Sequence, residues 1–179
     1  MASTRGGDKL GAALREMAAK LAKAKTVKVG FLEGSTYPDG TSVPMVAAIQ
    51  NFGAPRAKIP PRPFFTSMIQ QKSPTWGKAI AINLKANDYD AKLTLESVGI
   101  GVSDQLRDSI IETNEPALSP ITVMLRGMKS HDQSLVVTGK TVGEAAARVR
   151  DGKTNYGAST KVLDDTGHLL NSVDHEVKS

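Results

Sequence analysis

Apolar residues first recur at helical spacing in DKLGAALREMAAKLAKAK, residues 8–25, where Leu10, Ala13, Leu14, Met17 and Leu21 share a face. Lysines crowd the end of this run, where they complement the negative end of a helix, and Asp8 stands where an N-cap belongs. The period then drops to two. In TVKVGFL, residues 26–32, Val27, Val29 and Phe31 alternate with Lys28 and Gly30, which predicts a half-buried strand. EGSTYPDGTS is a turn cluster around Pro38-Asp39-Gly40. VPMVAAIQNFG follows as a short helix that tolerates Pro44 in its first turn and stops at Gly53.

Helical spacing returns from Pro63 to about Ala86, broken by Pro74, and again in the longest run, DYDAKLTLESVGIGVSDQLRDSIIETN. There Leu95, Val98, Val102, Leu106 and Ile110 line one face, and Gly99 and Gly101 either weaken the helix or mark a close packing point. NEPALSP reads as a loop whose Ser119-Pro120 opens a short helix, ITVMLRGM. Residues 129–161 read as an irregular insertion: a loop, a short amphipathic helix in TVGEAAARVRDG, and a turn-rich surface segment. Near the end, Asp165 or Thr166 caps a helix carrying Leu169, Leu170 and Val173, and the last residues extend into a strand. The pattern as a whole predicts one α+β domain over residues 1–179: a small antiparallel sheet, built from residues 26–32 and the C-terminal region, packed by several helices.

One stretch fits no regular element. Residues 50–65, QNFGAPRAKIPPRPFF, hold four prolines (Pro55, Pro60, Pro61, Pro63) and three phenylalanines. Proline lacks a backbone donor and fixes φ, so neither a single helix nor an interior strand runs through it. Flexible linkers are rich in Gly and Ser. Here Ile59, Phe64 and Phe65 stand among prolines instead, which suits a stiff protruding arm over residues 53–63 that docks on another surface. The alternative is a loop folded back onto its own core.

Composition changes little in this picture but removes several chemistries. A chain of 179 residues with no cysteine forms no disulfide and no thiolate metal site. No stretch approaches the roughly 18 consecutive apolar residues of a membrane span, and the first residues lack the apolar run of a signal peptide. A soluble protein made in the cytoplasm is the expectation. Net charge is +5, a mild excess that does not by itself signal nucleic-acid binding.

Candidate chemistry is thin. Thr138-Gly139-Lys140-Thr141 resembles the end of a phosphate loop, but the glycine required upstream is Ser134 and the intervening LVVT is bulky. His131, His168 and His175 have no metal-ligand spacing, and Asp164-Asp165 is better explained by helix capping than by paired acid chemistry. No serine lies in a nucleophile elbow. The expectation is a non-enzyme without cofactor, metal or small-molecule substrate. Lys20, Lys23, Lys25 and Lys28 form a basic stretch suited to phosphate contacts. With no interleaved aromatics, it reads more readily as a solvated face.

Three motifs carry a resemblance. Ala47 to Gly53, ending N-F-G, precedes Ile59-Pro60-Pro61-Arg62-Pro63-Phe64; Pro116, Leu118, Ser119, Pro120 and Thr122 open a short helix; Leu163, Asp165, Thr166, Gly167, Leu169, Ser172 and Val173 form a terminal element. In this order the chain resembles the virion-morphogenesis and tail-completion proteins of tailed bacteriophages, the phage-Mu-type family, although residues 129–161 are longer than the usual connection. The resemblance implies a non-catalytic virion protein at the neck or upper tail. It would form a ring of several copies, roughly six or twelve, around the DNA channel and meet other neck and tail proteins, with assembly in the host cytoplasm. In that setting the arm residues Ile59, Pro60, Pro61, Arg62, Pro63, Phe64 and Phe65 are the expected subunit interface, Arg62 meeting a carboxylate or a backbone carbonyl at the joint. The alternative is a DNA-binding accessory protein that uses residues 20–28. Salt separates the two, because a phosphate binder loses affinity steeply as ionic strength rises.

Overall fold

A computed structural model describes residues 7–153, 157–163 and 167–178. In chain order the elements are α1 (Gly7–Leu21), β1 (Thr26–Phe31), α2 (Val43–Phe52), a single 3-10 turn (Pro55–Ala57), α3 (Phe64–Ala86), α4 (Ala91–Glu112), α5 (Pro120–His131), α6 (Gly139–Arg150), α7 (His168–Asn171) and β2 (Val173–Lys178). The fold is α+β. β1 and β2 form an antiparallel pair, with Thr26 opposite Lys178 and Phe31 opposite Val173.

α4 is the hub. Asp90 caps it, its carboxylate accepting from the backbone N–H of Lys92 at 3.0 Å and of Leu93 at 3.2 Å. The expected face is buried at Val98, Val102, Leu106 and Ile110, while Leu95 is half-buried. α3 packs along one side of this helix and the sheet along another. Gly99 lets the sheet come close: a Cβ there would lie 2.5 Å from the His175 ring and 3.0 Å from Val27. Gly101 has open space around it and plays no such part. The His175 ring also meets Glu96, Nε2 to Oε2 at 3.0 Å, so sheet and helix are joined by a polar contact beside the glycine.

Several boundaries differ from expectation for identifiable reasons. α3 continues through Pro74, where the prediction had a break. Proline removes one intrahelical donor, and the carbonyl it would have served, that of Gln70, lies on an exposed turn where water can replace it. α1 ends at Leu21, and Asp8 lies within its first turn, not before it. None of the residues of α1 is buried, and Leu10, Leu14 and Leu21 on its apolar face are exposed. Within residues 129–153 the expected short helix is present as α6, beginning at Gly139, two residues before the TVGEAAARVRDG run. α5, capped by Ser119, runs on to His131, and α6 opens on a capping box in which Thr138 and Thr141 hold each other's backbone N–H. The TGKT sequence is thereby a helix start. α5 and α6 bury Met124, Met128 and Ala145 in a small core of their own, apart from the main one around α4. Asp165 and Thr166 lie outside the described residues.

Candidate subunit interface

The proline-rich segment does not protrude as an extended arm. Ala54 and Ile59 exchange backbone hydrogen bonds at 2.9 and 3.1 Å, closing residues 54–59 into a tight loop over the 3-10 turn. Gly53 has φ 78°, and a Cβ there would stand 2.9 Å from the Ile59 carbonyl oxygen and the Pro61 nitrogen. Only glycine fits. Beyond the loop, the Arg62 N–H donates to the Gln50 carbonyl at 2.8 Å, which returns the chain to α2.

Two of the seven residues expected at the subunit interface, Phe64 and Arg62, serve this chain itself. Phe64 is 1% exposed in the main core, edge-on to Phe31 with ring centroids 6.3 Å apart. Arg62 is 4% exposed. Its Nε donates to the Pro116 carbonyl at 3.1 Å and its Nη1 to Gln50 Oε1 at 2.9 Å, tying α2 to the loop before α5. Burial and the nearby Arg126 hold its pKa below the usual value. The physical cause of the reversal is that α3 begins at Phe64, which turns the end of the segment into a helix start facing inward. Asn51 of α2 supplies the cap that Pro63 cannot, its Oδ1 accepting from Phe65 N at 3.0 Å and Thr66 N at 3.2 Å. Asn51 Nδ2 is buried with no acceptor among the described residues. Ile59 and Phe65 are half-buried, and Pro60, Pro61 and Pro63 are exposed. These remain the surface part of the expected interface.

The basic stretch is also partly occupied. Lys20 pairs with Asp88 and with Glu16 at 3.2 Å, and Lys23 pairs with Asp90 at 2.7 Å. Both lysines therefore pin α1 to the corner between α3 and α4. Lys25 and Lys28 are exposed and have no carboxylate partner among the described residues. The histidines serve local structure: His131 Nδ1 lies 2.8 Å from the Gly127 carbonyl, and His168 lies against Tyr37. Among the described residues no group of three or more His, Asp or Glu is arranged to hold a metal ion, and no helix is long and apolar enough to cross a membrane.

The surface with the most unmet capacity is the outer edge of β1. The sheet has two strands, so each has one side unpaired. On β2 that side is partly closed by side chains: Arg107 Nη2 donates to the Val173 carbonyl at 2.6 Å, and the Asp174 carboxylate accepts from the His175 N–H at 2.8 Å. On β1 no side chain or loop among the described residues pairs with the backbone from Val27 to Phe31 apart from β2. Two clefts flank it. One, of about 580 Å³, lies between the sheet and α2, reaching Asn51 and Phe52, with the charged Lys28, Glu33, Glu176 and Lys178 along its sheet side. The other, of about 250 Å³, lies between β1 and α3 over Val98 and Val102, with Ile69 and Ile80 on its far wall. Val29 and Phe65 line both. An open strand edge between an apolar cleft and a mixed one is a geometry that accepts an added strand, backbone bonding along the edge and alternate side chains entering the clefts.

Apolar residues are also left open elsewhere: Leu10 and Leu14 on α1, Met45 and Phe52 on α2, and Val136 and Val137 between α5 and α6, the last pair 70% and 57% exposed. The sequence pattern signalled the β1 strand and its C-terminal partner but not that the other edge of β1 would stay open. LVVT carries the second signal in its β-branched residues. No protein-family model, curated protein or solved structure matches this chain.

Proposed function

We propose that this chain is a non-catalytic structural subunit of a tailed-phage particle, acting at the neck or upper tail as one of several copies around the DNA channel. The observation that supports this most is the presence of unlike apolar surfaces on separate elements: the β1 edge with its clefts, and the exposed valines between α5 and α6. A ring is closed by head-to-tail contacts, in which one surface meets a different surface of the next copy. A lone monomer has no use for two such surfaces. The motif residues behind the resemblance fit a shared scaffold, since Gly53, Arg62 and Ser119 each fix a turn, a clamp or a helix start.

Quantitative mass spectrometry of purified infectious particles tests the reading. The expected result is a low, constant ratio to the major shell protein, roughly six or twelve copies per particle as a closed ring requires. Absence from the particle overturns it. The geometry weakens the DNA-binding alternative at two of its four lysines, because Lys20 and Lys23 already hold carboxylates while Lys25 and Lys28 stay exposed.

A further inference from the structure

We infer that copies of this chain join by strand addition, with Leu135–Thr138 of one copy lying along the open edge of β1 in the next, parallel to it. The inference rests on the self-assembly part of the proposed function and not on a place in a virion.

The donor is short, and Leu135 and Val137 carry its free pairing groups: the Leu135 carbonyl and the Val137 N–H and carbonyl have no partner among the described residues. The Thr138 N–H, by contrast, donates to Thr141 Oγ1 at 2.7 Å, and the Val136 carbonyl accepts from that hydroxyl at 3.2 Å. Between α5 and α6 the segment Leu135-Val136-Val137-Thr138 has no regular structure, and Thr138 has extended backbone, φ −127° and ψ 171°. β-branched residues favour a pleated, half-buried surface, yet Val136 and Val137 stand in solvent. The segment sits at the tip of a hairpin with its own core, which holds it firm at both ends. On the acceptor, no group among the described residues pairs with the edge backbone or fills the clefts on either side. Natural edges of this kind are guarded by charge, proline or a covering loop; β1 has Lys28 as its one charged residue.

Charge selects both the partner and the direction. Pairing β1 with β1 of a second copy sets Lys28 near its own counterpart, which is unfavourable. Pairing it with β2 of a second copy meets an edge already occupied by Arg107 and Asp174. The tip is flanked by Asp132 before it and Lys140 after it, whereas β1 is preceded by Lys25 and followed by Glu33. A parallel alignment puts Asp132 toward the Lys25 end and Lys140 toward Glu33. An antiparallel one puts like charges together at both ends. Asp132 Oδ1 is engaged in its own turn, accepting from Ser134 N at 3.0 Å and from its hydroxyl at 2.6 Å, and Oδ2 faces no partner among the described residues.

The test uses the purified full chain in analytical ultracentrifugation, with a thermal melt to confirm folding. Two variants are made: V136S/V137S at the tip and K25E/K28E at the edge, all four positions exposed. Wild type is expected to form closed assemblies larger than a dimer. Each variant is expected to melt as wild type does and to associate roughly tenfold or more weakly. Mixed together they should form a one-to-one complex that grows no further, because one intact tip meets one intact edge. Assembly of V136S/V137S equal to wild type, or a mixture that gives no such complex, overturns the joint while leaving a ring built otherwise. Wild type that stays monomeric overturns both the joint and the ring.

Discussion

Two apolar segments of this chain end up on opposite sides of its surface from where their sequences suggest. The α1 run has the regular leucine spacing of a helix that packs on a core, yet Leu10 and Leu14 are 63% and 56% exposed. The proline-rich run looks like a projecting arm, yet its Phe64 is 1% exposed and its Arg62 is a clamp. Periodicity tells which face of an element is apolar. It does not tell what covers that face. For residues 53–65 the covering surface belongs to this chain, because Asn51 and Gln50 hold the segment from α2 and Ser109 Oγ donates to the Phe64 carbonyl at 2.7 Å from α4. For α1 the attachments are charges at one end, Lys20 to Asp88 and Lys23 to Asp90.

The largest expected effect is at Phe64. Phe64→Ala leaves a cavity against Phe31 and should destabilise the monomer by about 3–5 kcal/mol. Leu10→Ser and Leu14→Ser should each change it by no more than about 0.5 kcal/mol. Urea titration of the purified variants reads both. A small loss at Phe64 together with a large one at Leu10 would reverse the comparison, and would mean that α1 covers the core in solution. Arg62 comes next. Its side chain makes two charge-assisted hydrogen bonds to neutral acceptors, so Arg62→Ala should cost about 2–3 kcal/mol. Arg62→Lys should recover little of this, since one ammonium cannot serve the Pro116 carbonyl and Gln50 Oε1 from the fork geometry. Full recovery by lysine would show that only the charge matters there.

How much was legible follows from the same residues. The sheet partners, the α4 face and the Ser119 cap were readable because local spacing and capping chemistry decide them. Gly99 was readable as one of two options, and it took the His175 ring to choose between them. The inward turn of Phe64 was not readable, since it depends on a cap contributed by Asn51, 13 residues upstream on another helix, and on an α4 surface some 45 residues downstream. The edge of β1 was hidden for the opposite reason: whether a strand has a second neighbour is a property of the whole chain.

The smallest effect concerns how α1 is held, and pH isolates it. The hydrogen bond from Lys23, followed by the backbone N–H of Leu93, keeps the Asp90 carboxyl below its ordinary range. A carboxyl lowered in the folded state stabilises the fold at pH values above its unfolded pKa, about 3.9, and that contribution fades as pH falls through the folded value. Asp90→Ala should therefore melt below wild type at neutral pH, and the gap should narrow in acid to the contribution of the neutral cap once both states bind the proton. Asp90→Asn keeps an acceptor for the N–H groups of Lys92 and Leu93 but loses the charge, so it should recover the cap and not the pH dependence. Lys23→Ala does the converse, removing the tie to α1 while leaving the cap of α4 in place. If Lys20→Ala and Lys23→Ala together leave the helical signal of α1 unchanged in hydrogen exchange, then the leucine face and not the ion pairs anchors that helix, and the contrast between the two segments is weaker than the exposure of Leu10 and Leu14 implies.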